Sequence, residues 1–238
     1  MRDSWKRGLL VAAALAFAVG DRPVDGAVVV ELAQGPPGTA SPIGVGDELL
    51  RWRLVGSAST RAGELEHWGE LDILALVEGP RGTLEIELVR AGEARRVLLP
   101  TAAWTYKGRP VGARAELVAF VASFAAKEAT TTAAEVERRV GSEPVEARSW
   151  VWARFAEACG KRADWLAAHQ GYAAAIALSP PAVAADLERF NGDALRRLGR
   201  LDEAEAAYRR GLSAWNVIER MRASTVSPAM ISMRPMFV

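Results

Sequence analysis

The sequence predicts an α+β protein in which a small β-rich module precedes an all-α stack of helical hairpins. Two observations carry this prediction. Across residues 26–103, β-branched or alternating apolar runs are separated by turns rich in glycine and proline. Across residues 112–222, alanine dominates and apolar residues recur at helical spacing. The chain of 238 residues, 50% hydrophobic, is long enough for one large or two small domains.

The β-rich module contains four strand patterns and one helix pattern. A run of β-branched residues predicts a buried strand, and strict alternation of apolar and polar residues predicts a half-buried one. The predicted strands are Ala27–Leu32, Asp47–Leu54, Thr83–Val89 and Arg95–Leu99, and the predicted helix is Glu70–Glu78. Turn or loop chemistry predicts connections at Gln34–Pro42 and Gly56–Gly63, and a linker at Thr101–Pro110.

Two short motifs stand at fixed places in this order of elements. Val45-Gly46-Asp47 leads into the second strand, and Arg90-Ala91-Gly92-Glu93 joins the last two strands as a hairpin. With these motifs, residues 27–100 resemble the PDZ domain of bacterial exported proteins. That resemblance implies a site that captures a C-terminal carboxylate on a glycine-hydrophobic-glycine loop. No such loop precedes the first strand, where Asp21–Gly26 stands instead. The module is therefore expected to have the fold, and its peptide site stays open.

The helical half contains a repeat. Gly192 and Ala204 suit the close contacts between two antiparallel helices, and Tyr208 suits the large position that fills the space between them. Gly199 fits the turn, where a left-handed backbone ends the first helix. Asp202 is expected to cap the second helix.

The preceding segment fits the same pattern. Ala168 and Tyr172 correspond to Ala204 and Tyr208 at an offset of 36 residues, with two extra residues assigned to Pro180-Pro181. These stretches resemble the tetratricopeptide (TPR) family, whose period is about 34 residues. The predicted hairpins are 149–181 and 185–216, preceded by a degraded hairpin at 114–146 and followed by a tail at 223–238.

The TPR resemblance implies a binding groove lined by the first helix of each hairpin. Carried onto this sequence, its polar residues are Arg154, Glu157, Lys161, Arg189, Asp193, Arg196 and Arg197. Basic side chains outnumber acidic ones in this set, which favours a protein or peptide segment that carries carboxylates. The alternative is an ordinary solvated helix face. The oligomeric state stays open.

The motifs of common catalytic sites are missing from the sequence. No second histidine or cysteine lies at helical spacing from His67 or His169, and Cys159 is the single cysteine. The sequence has no Gly-x-Ser-x-Gly elbow and no phosphate loop. We therefore predict no catalytic residues, metal or cofactor, and hence a protein that is not an enzyme. The net charge of +1 gives no bias toward nucleic acid.

Residues 1–20 resemble a secretory signal peptide. Arg2, Lys6 and Arg7 precede an uncharged run at 8–20, and Ala16-Phe17-Ala18 has the small-x-small pattern of a cleavage site. We expect export to the periplasm or cell envelope, with membrane attachment only if the segment stays uncleaved as an anchor. The alternative is a buried N-terminal helix.

Together these features predict a non-enzymatic adaptor or scaffold that holds a protein partner in the TPR groove. Two alternatives stay open. The chain could be an accessory or regulatory part of a larger enzyme or signalling polypeptide, or a peptide-binding PDZ regulator of a protease.

Overall fold

A computed structural model describes residues 28–34, 40–56, 61–78, 81–99, 105–126 and 131–224, without the side chains of 34, 72, 75–77 and 216–224. The predicted signal segment, most of the turn at Gln34–Pro42 and nearly all of the tail at 223–238 lie outside the described residues. Among the described residues, an antiparallel sheet of six strands precedes six helices, with one further helix inserted between strands. The α+β class predicted from the sequence is confirmed.

The sheet has the strand order β5-β4-β2-β1-β6, and the short β3 also pairs with β2. All strand pairings among the described residues are antiparallel, including Val30 with Gly108 between β1 and β6 and Trp52 with Ile86 between β2 and β4. The strands are β1 Val28–Gln34, β2 Glu48–Val55, β3 Ala62–Glu64, β4 Thr83–Arg90, β5 Glu93–Leu99 and β6 Thr105–Pro110.

The hairpin between β4 and β5 follows from its turn residues. Ala91 has φ 53° and Gly92 has φ 81°, and two consecutive residues with positive φ suit the right-handed twist of the flanking strands. Along β4, Leu84, Ile86 and Leu88 are fully buried, as the alternation in the sequence predicts. Helix α1, Glu70–Val77, lies where the sequence predicts a helix.

Two connection predictions are wrong in part. Residues Thr105–Pro110, predicted as the end of a linker, form β6 and pair with β1. Alternation explains this strand, since Tyr106, Gly108 and Pro110 are buried while the residues between them are not. The sheet therefore extends seven residues past 103, the predicted end of the β-rich module. Within the predicted loop Gly56–Gly63, the last two residues belong to β3.

The helical half is built from four long helices in two hairpins, preceded by two short helices. Each long helix packs against the next along the chain, and both short helices pack against α4. The helices are α2 Ala115–Ser123, α3 Ala133–Val140, α4 Val145–Lys161, α5 Trp165–Leu178, α6 Pro181–Arg197 and α7 Leu201–Ser224. The turn between hairpins falls at Ser179 and Pro180, with Pro181 as the first residue of α6, where proline is tolerated.

Small residues allow the helices to approach closely. A Cβ atom at Gly192 would lie 2.5 Å from the Tyr208 ring, and one at Gly171 would lie 2.9 Å from the Cβ of Ala156. Gly199 has φ 76°, the left-handed conformation expected at the turn. The prediction for Asp202 is wrong, because it lies inside the first turn of α7 rather than before it.

The sheet half and the helical half share a core. The largest cluster of buried apolar residues is formed mainly by α2 to α6, and it also includes Trp68 and Ile73 from the sheet half. A second cluster lies between the sheet and α1. The two halves therefore pack directly on each other. Within the described residues, no helix combines the length and the apolar character needed to span a bilayer.

Candidate binding groove

A groove runs between α4 and α6, with Tyr172 of α5 in its lining. The end of this α4–α6 groove that lies against the sheet half, here called the sheet end, has a volume of about 240 Å³; the opposite, far end has about 330 Å³. Glu157, Tyr172 and Phe190 line both ends. The sheet end is also lined by Trp68, Gly69, Lys107, Ala153, Arg154, Val183, Asp186 and Leu187, and the far end by Gly160, Lys161, Trp165, Asp193, Ala194, Arg196 and Arg197.

Six of the seven residues predicted from the sequence line this groove. Arg154 and Glu157 line the sheet end, and Glu157 recurs at the far end with Lys161, Asp193, Arg196 and Arg197. The first helices of the two hairpins do therefore face a common cleft. Arg189 lines neither end; its guanidinium lies 4.0 Å from the centre of the Phe190 ring and 3.3 Å from Asp186.

Arg154 connects the two halves of the molecule. Its Nε donates to Glu31 of β1 at 3.1 Å, and its Nη2 donates to the carbonyl oxygen of Gly108 in β6 at 2.9 Å. The guanidinium also lies 5.2 Å from the centre of the Trp68 ring, and its side chain is only 12% exposed. The sequence placed Arg154 in the groove, and it does line the sheet end. Its Nε and one Nη2 hydrogen are, however, already bonded to the sheet half, so Arg154 is less available to a partner than the repeat pattern indicates.

Glu157 is held in its charged form at the middle of the groove. It pairs with Arg154 at 3.4 Å and Lys161 at 3.2 Å, and also with Lys107 of β6. Burial by itself would raise the pKa of Glu157, but these three cations outweigh burial and lower the pKa to about 2. The carboxylate therefore neutralises charge within the protein rather than presenting it to a partner.

The far end exposes cations. Lys161 is 73% exposed and Arg196 is 55% exposed, with its Nη2 3.6 Å from Asp193. Asp193 also accepts a hydrogen bond of 2.8 Å from the Tyr208 hydroxyl, which holds that carboxylate in place. The guanidinium of Arg197 lies 5.6 Å from the centre of the Trp165 ring, and among the described residues it has no carboxylate partner.

Aromatic rings line the middle of the groove. Tyr172 and Phe190 are stacked with their centroids 5.9 Å apart. Phe190 is half-buried and lines both ends of the groove. Nearby Asp186 has its pKa raised by burial, an effect that its pairing with Arg189 offsets in part.

Sequence reasoning missed several lining residues. Lys107 and Trp68 come from the sheet half, and nothing in the helical repeat indicates that the sheet closes one end of the groove. The only local signal for a strand at Thr105–Pro110 is the alternation of Lys107 and Arg109 with uncharged residues, and the low β-propensity of glycine and proline outweighs it. The repeat pattern predicts a packing position for Tyr172 and no role for Phe190.

The described residues contain no cluster of histidine, cysteine or carboxylate residues that could hold a metal ion. Burial raises the pKa of the Cys159 thiol to about 11, and burial lowers the pKa of His67 to about 4. The first shift disfavours a thiolate nucleophile, and the second keeps the imidazole neutral. Comparisons with protein-family models, curated proteins and solved structures find no match to this chain.

Proposed function

We propose that this protein is a non-enzymatic adaptor that binds an extended segment of a partner protein in the α4–α6 groove. One observation carries the proposal: the first helices of two successive hairpins face one cleft that is lined by aromatic rings, including the half-buried Phe190, and by exposed cations. Such a surface can bury apolar side chains in its middle and pair carboxylates at its edge. The N-terminal pattern further suggests that the adaptor acts in the cell envelope.

We also propose that the helical hairpins are TPR-like and that the sheet half is PDZ-like. In support of the first, Gly192, a small position of the repeat pattern, lies in close contact with Tyr208, its large position. In support of the second, Gly46 has φ 91° and Asp47 accepts two hydrogen bonds from Arg90, of 2.7 and 2.6 Å. The Gly-Asp motif and the hairpin motif therefore meet across the sheet.

The charge of the groove supports an acidic partner. Cations outnumber carboxylates in the lining: the cations are Lys107, Arg154, Lys161, Arg196 and Arg197, and the carboxylates are Glu157, Asp186 and Asp193. Two of the cations, Lys107 and Arg154, are consumed by internal pairs at the sheet end. The attraction that a partner would feel therefore comes from the exposed cations of the far end.

A capture experiment with a matched control tests the proposal. The groove variant carries Lys161→Glu, Arg196→Glu and Arg197→Glu. The control variant carries Arg51→Glu, Arg96→Glu and Arg209→Glu, which make the same change in net charge at exposed cations outside the groove. Each protein is used to capture partners from a cell-envelope extract, followed by quantitative mass spectrometry.

We expect the groove variant to lose partners that both the wild type and the control retain. Surface ion pairs contribute little to stability, so both variants should stay folded, which circular dichroism checks. If the two variants and the wild type recover the same partners in the same amounts, the groove does not bind them and the proposal fails.

A further inference from the structure

The α4–α6 groove differs in character between its two ends. Apolar side chains, including Trp68, Val183 and Leu187, dominate the lining of the sheet end. The far end is open and cationic, with Lys161, Arg196 and Arg197 at its border. A ligand that satisfies both ends must therefore be apolar at one end and anionic at the other.

The sheet half closes the sheet end against α6. A Cβ atom at Gly69 would lie 2.8 Å from the side chain of Val183, so only glycine lets the chain before α1 approach α6 this closely. Lys107 of β6 is also part of the lining, paired with Glu157. This end is therefore a composite of both halves, which a stack of helical hairpins alone would not form.

The size and charge of the sheet end indicate its occupant. Its volume of about 240 Å³ lies below the range of roughly 300–1,000 Å³ typical of pockets for drug-sized ligands. That space suits a large side chain rather than a whole small molecule. Lys107 and Arg154 are occupied by internal carboxylates, and Asp186 would repel a further negative charge. An apolar side chain is thus favoured at this end and an acidic one is not.

The distance between the ends sets a spacing. Ala153 lines the sheet end and Lys161 the far end, and both lie on α4. Eight residues of α-helix, at 1.5 Å each, span about 12 Å. An extended peptide advances about 3.3 Å per residue and covers that distance in three to four residues.

We propose that the groove selects segments in which a large apolar residue lies three or four positions from an acidic residue, with the apolar side chain in the sheet end. The inference rests on the proposed function and specifies its ligand. The sheet half thereby determines which apolar side chain the groove accepts, and the far end determines the charge of the residue three or four positions away.

Fluorescence anisotropy with labelled octapeptides tests this specificity. The parent peptide places phenylalanine three positions before glutamate in an alanine-serine background, and a second parent has the opposite order. Three controls replace phenylalanine by alanine, replace glutamate by lysine, or place the two residues side by side. We expect one parent to bind with a Kd below about 1 mM, the weak edge of specific recognition. Each control peptide should bind the protein at least tenfold more weakly than that parent peptide does.

Variants of the protein assign each preference to one end. Ala153→Leu reduces the space in the sheet end and should abolish the advantage of phenylalanine over alanine, while the preference for glutamate over lysine remains. Lys161→Glu combined with Arg197→Glu should abolish the preference for glutamate over lysine, while the advantage of phenylalanine over alanine remains. Arg209→Glu on α7 is the charge control and should change neither. If Ala153→Leu does not fold, Phe190→Ala, which removes the half-buried ring between the two ends, takes its place, with a tenfold loss expected for the phenylalanine peptide.

The outcomes separate this inference from the proposed function. If the control peptides bind as tightly as the parent peptides, the inference about the apolar residue and its spacing is overturned. The adaptor function would still be supported by the capture experiment. Binding by none of the peptides at about 1 mM also overturns the inference. Competition by decanoate alone, with no peptide bound, would indicate a lipid-like amphiphile instead. Failure of the capture experiment as well removes the proposed function itself.

Discussion

Replacing Arg154 by alanine tests whether the two halves of the molecule are held together by the pairs that this side chain makes. The wild-type guanidinium donates to Glu31 and to the Gly108 carbonyl oxygen, pairs with Glu157, and lies over the Trp68 ring. Alanine removes all four contacts and leaves Glu31 without that partner. We expect a loss of stability and no change of fold.

The magnitude follows from burial. Breaking a fully buried ion pair costs about 3–5 kcal/mol because a charge is left unpaired in a medium of low dielectric constant. Here Arg154 is 12% exposed, but Glu31 is 21% and Glu157 is 26% exposed, and Glu157 keeps Lys107 and Lys161 as partners. Partial hydration and these remaining cations reduce the cost, so we expect the free energy of unfolding to fall by about 2–3 kcal/mol.

Urea unfolding at pH 7, followed by tryptophan fluorescence and circular dichroism, measures this difference. Lys161→Ala is the matched control, because Lys161 pairs with the same Glu157 from an exposed position. Its loss should be about 0–1 kcal/mol. If Arg154→Ala costs no more than Lys161→Ala, the reasoning that Arg154 fastens the sheet half to the helices is refuted.

Acid gives a second measurement on the same variant. The pKa of Glu157 is about 2 in the folded protein and 4.5 by its ordinary value. Because the folded value is the lower one, the stability from this carboxylate is present above about pH 4.5 and is lost as the pH falls toward 2. Without Arg154 the folded pKa rises, so less stability remains to be lost. The difference in free energy of unfolding between the wild type and Arg154→Ala should therefore narrow as the pH falls through that range. A constant difference would contradict the assignment of the low pKa of Glu157 to its pairing with Arg154.

Three further predictions concern packing, the sheet and export. Gly192→Ala places a methyl group 2.5 Å from the Tyr208 ring and should lower the free energy of unfolding by about 1–3 kcal/mol in the same urea assay. Gly160→Ala is the control: its nearest contact lies at 3.5 Å, so it should be neutral or stabilise the protein by up to about 1 kcal/mol. Asp47→Ala removes the acceptor of two hydrogen bonds from Arg90 and one from a backbone N–H, so the melting temperature should drop by an amount that corresponds to about 2 kcal/mol. Arg53→Ala is the control: it breaks an exposed ion pair and should change the melting temperature little. An alkaline phosphatase fused after residue 30 should be active in a bacterial host if residues 1–20 direct export, and inactivity of a stable fusion would contradict the signal prediction.

The repeat pattern predicted much of the helical half because its signals lie within short windows. Gly199 and the prolines at 180–181 mark the turns, and helical spacing marks the helices between them. The offset of 36 residues then placed α4 and α6 in equivalent positions, which is why six of seven predicted residues line one groove. Register alone could not show which of those side chains is already engaged inside the molecule.

The strand at Thr105–Pro110 shows where local patterns are insufficient. Its six residues have few β-branched or apolar members, and glycine and proline within it favour a loop on propensity alone. Pairing with β1, some 75 residues earlier in the chain, supplies the backbone hydrogen bonds and buries Tyr106. Such non-local pairing depends on the rest of the sheet, and β-propensity is a weak guide to it.

By itself the sequence determined the α+β class, the two helical hairpins and the order of elements apart from β3 and β6, because periodicity, turn residues and small-residue contacts are encoded locally. Only the tertiary structure decided that the sheet half packs against α4 and α6. That packing turns Arg154 from a groove cation into a link between the halves, and it places Trp68, Gly69 and Lys107 at one end of the groove. The physical reason is that burial and charge pairing between distant segments depend on three-dimensional proximity, which no spacing along a single stretch of chain records.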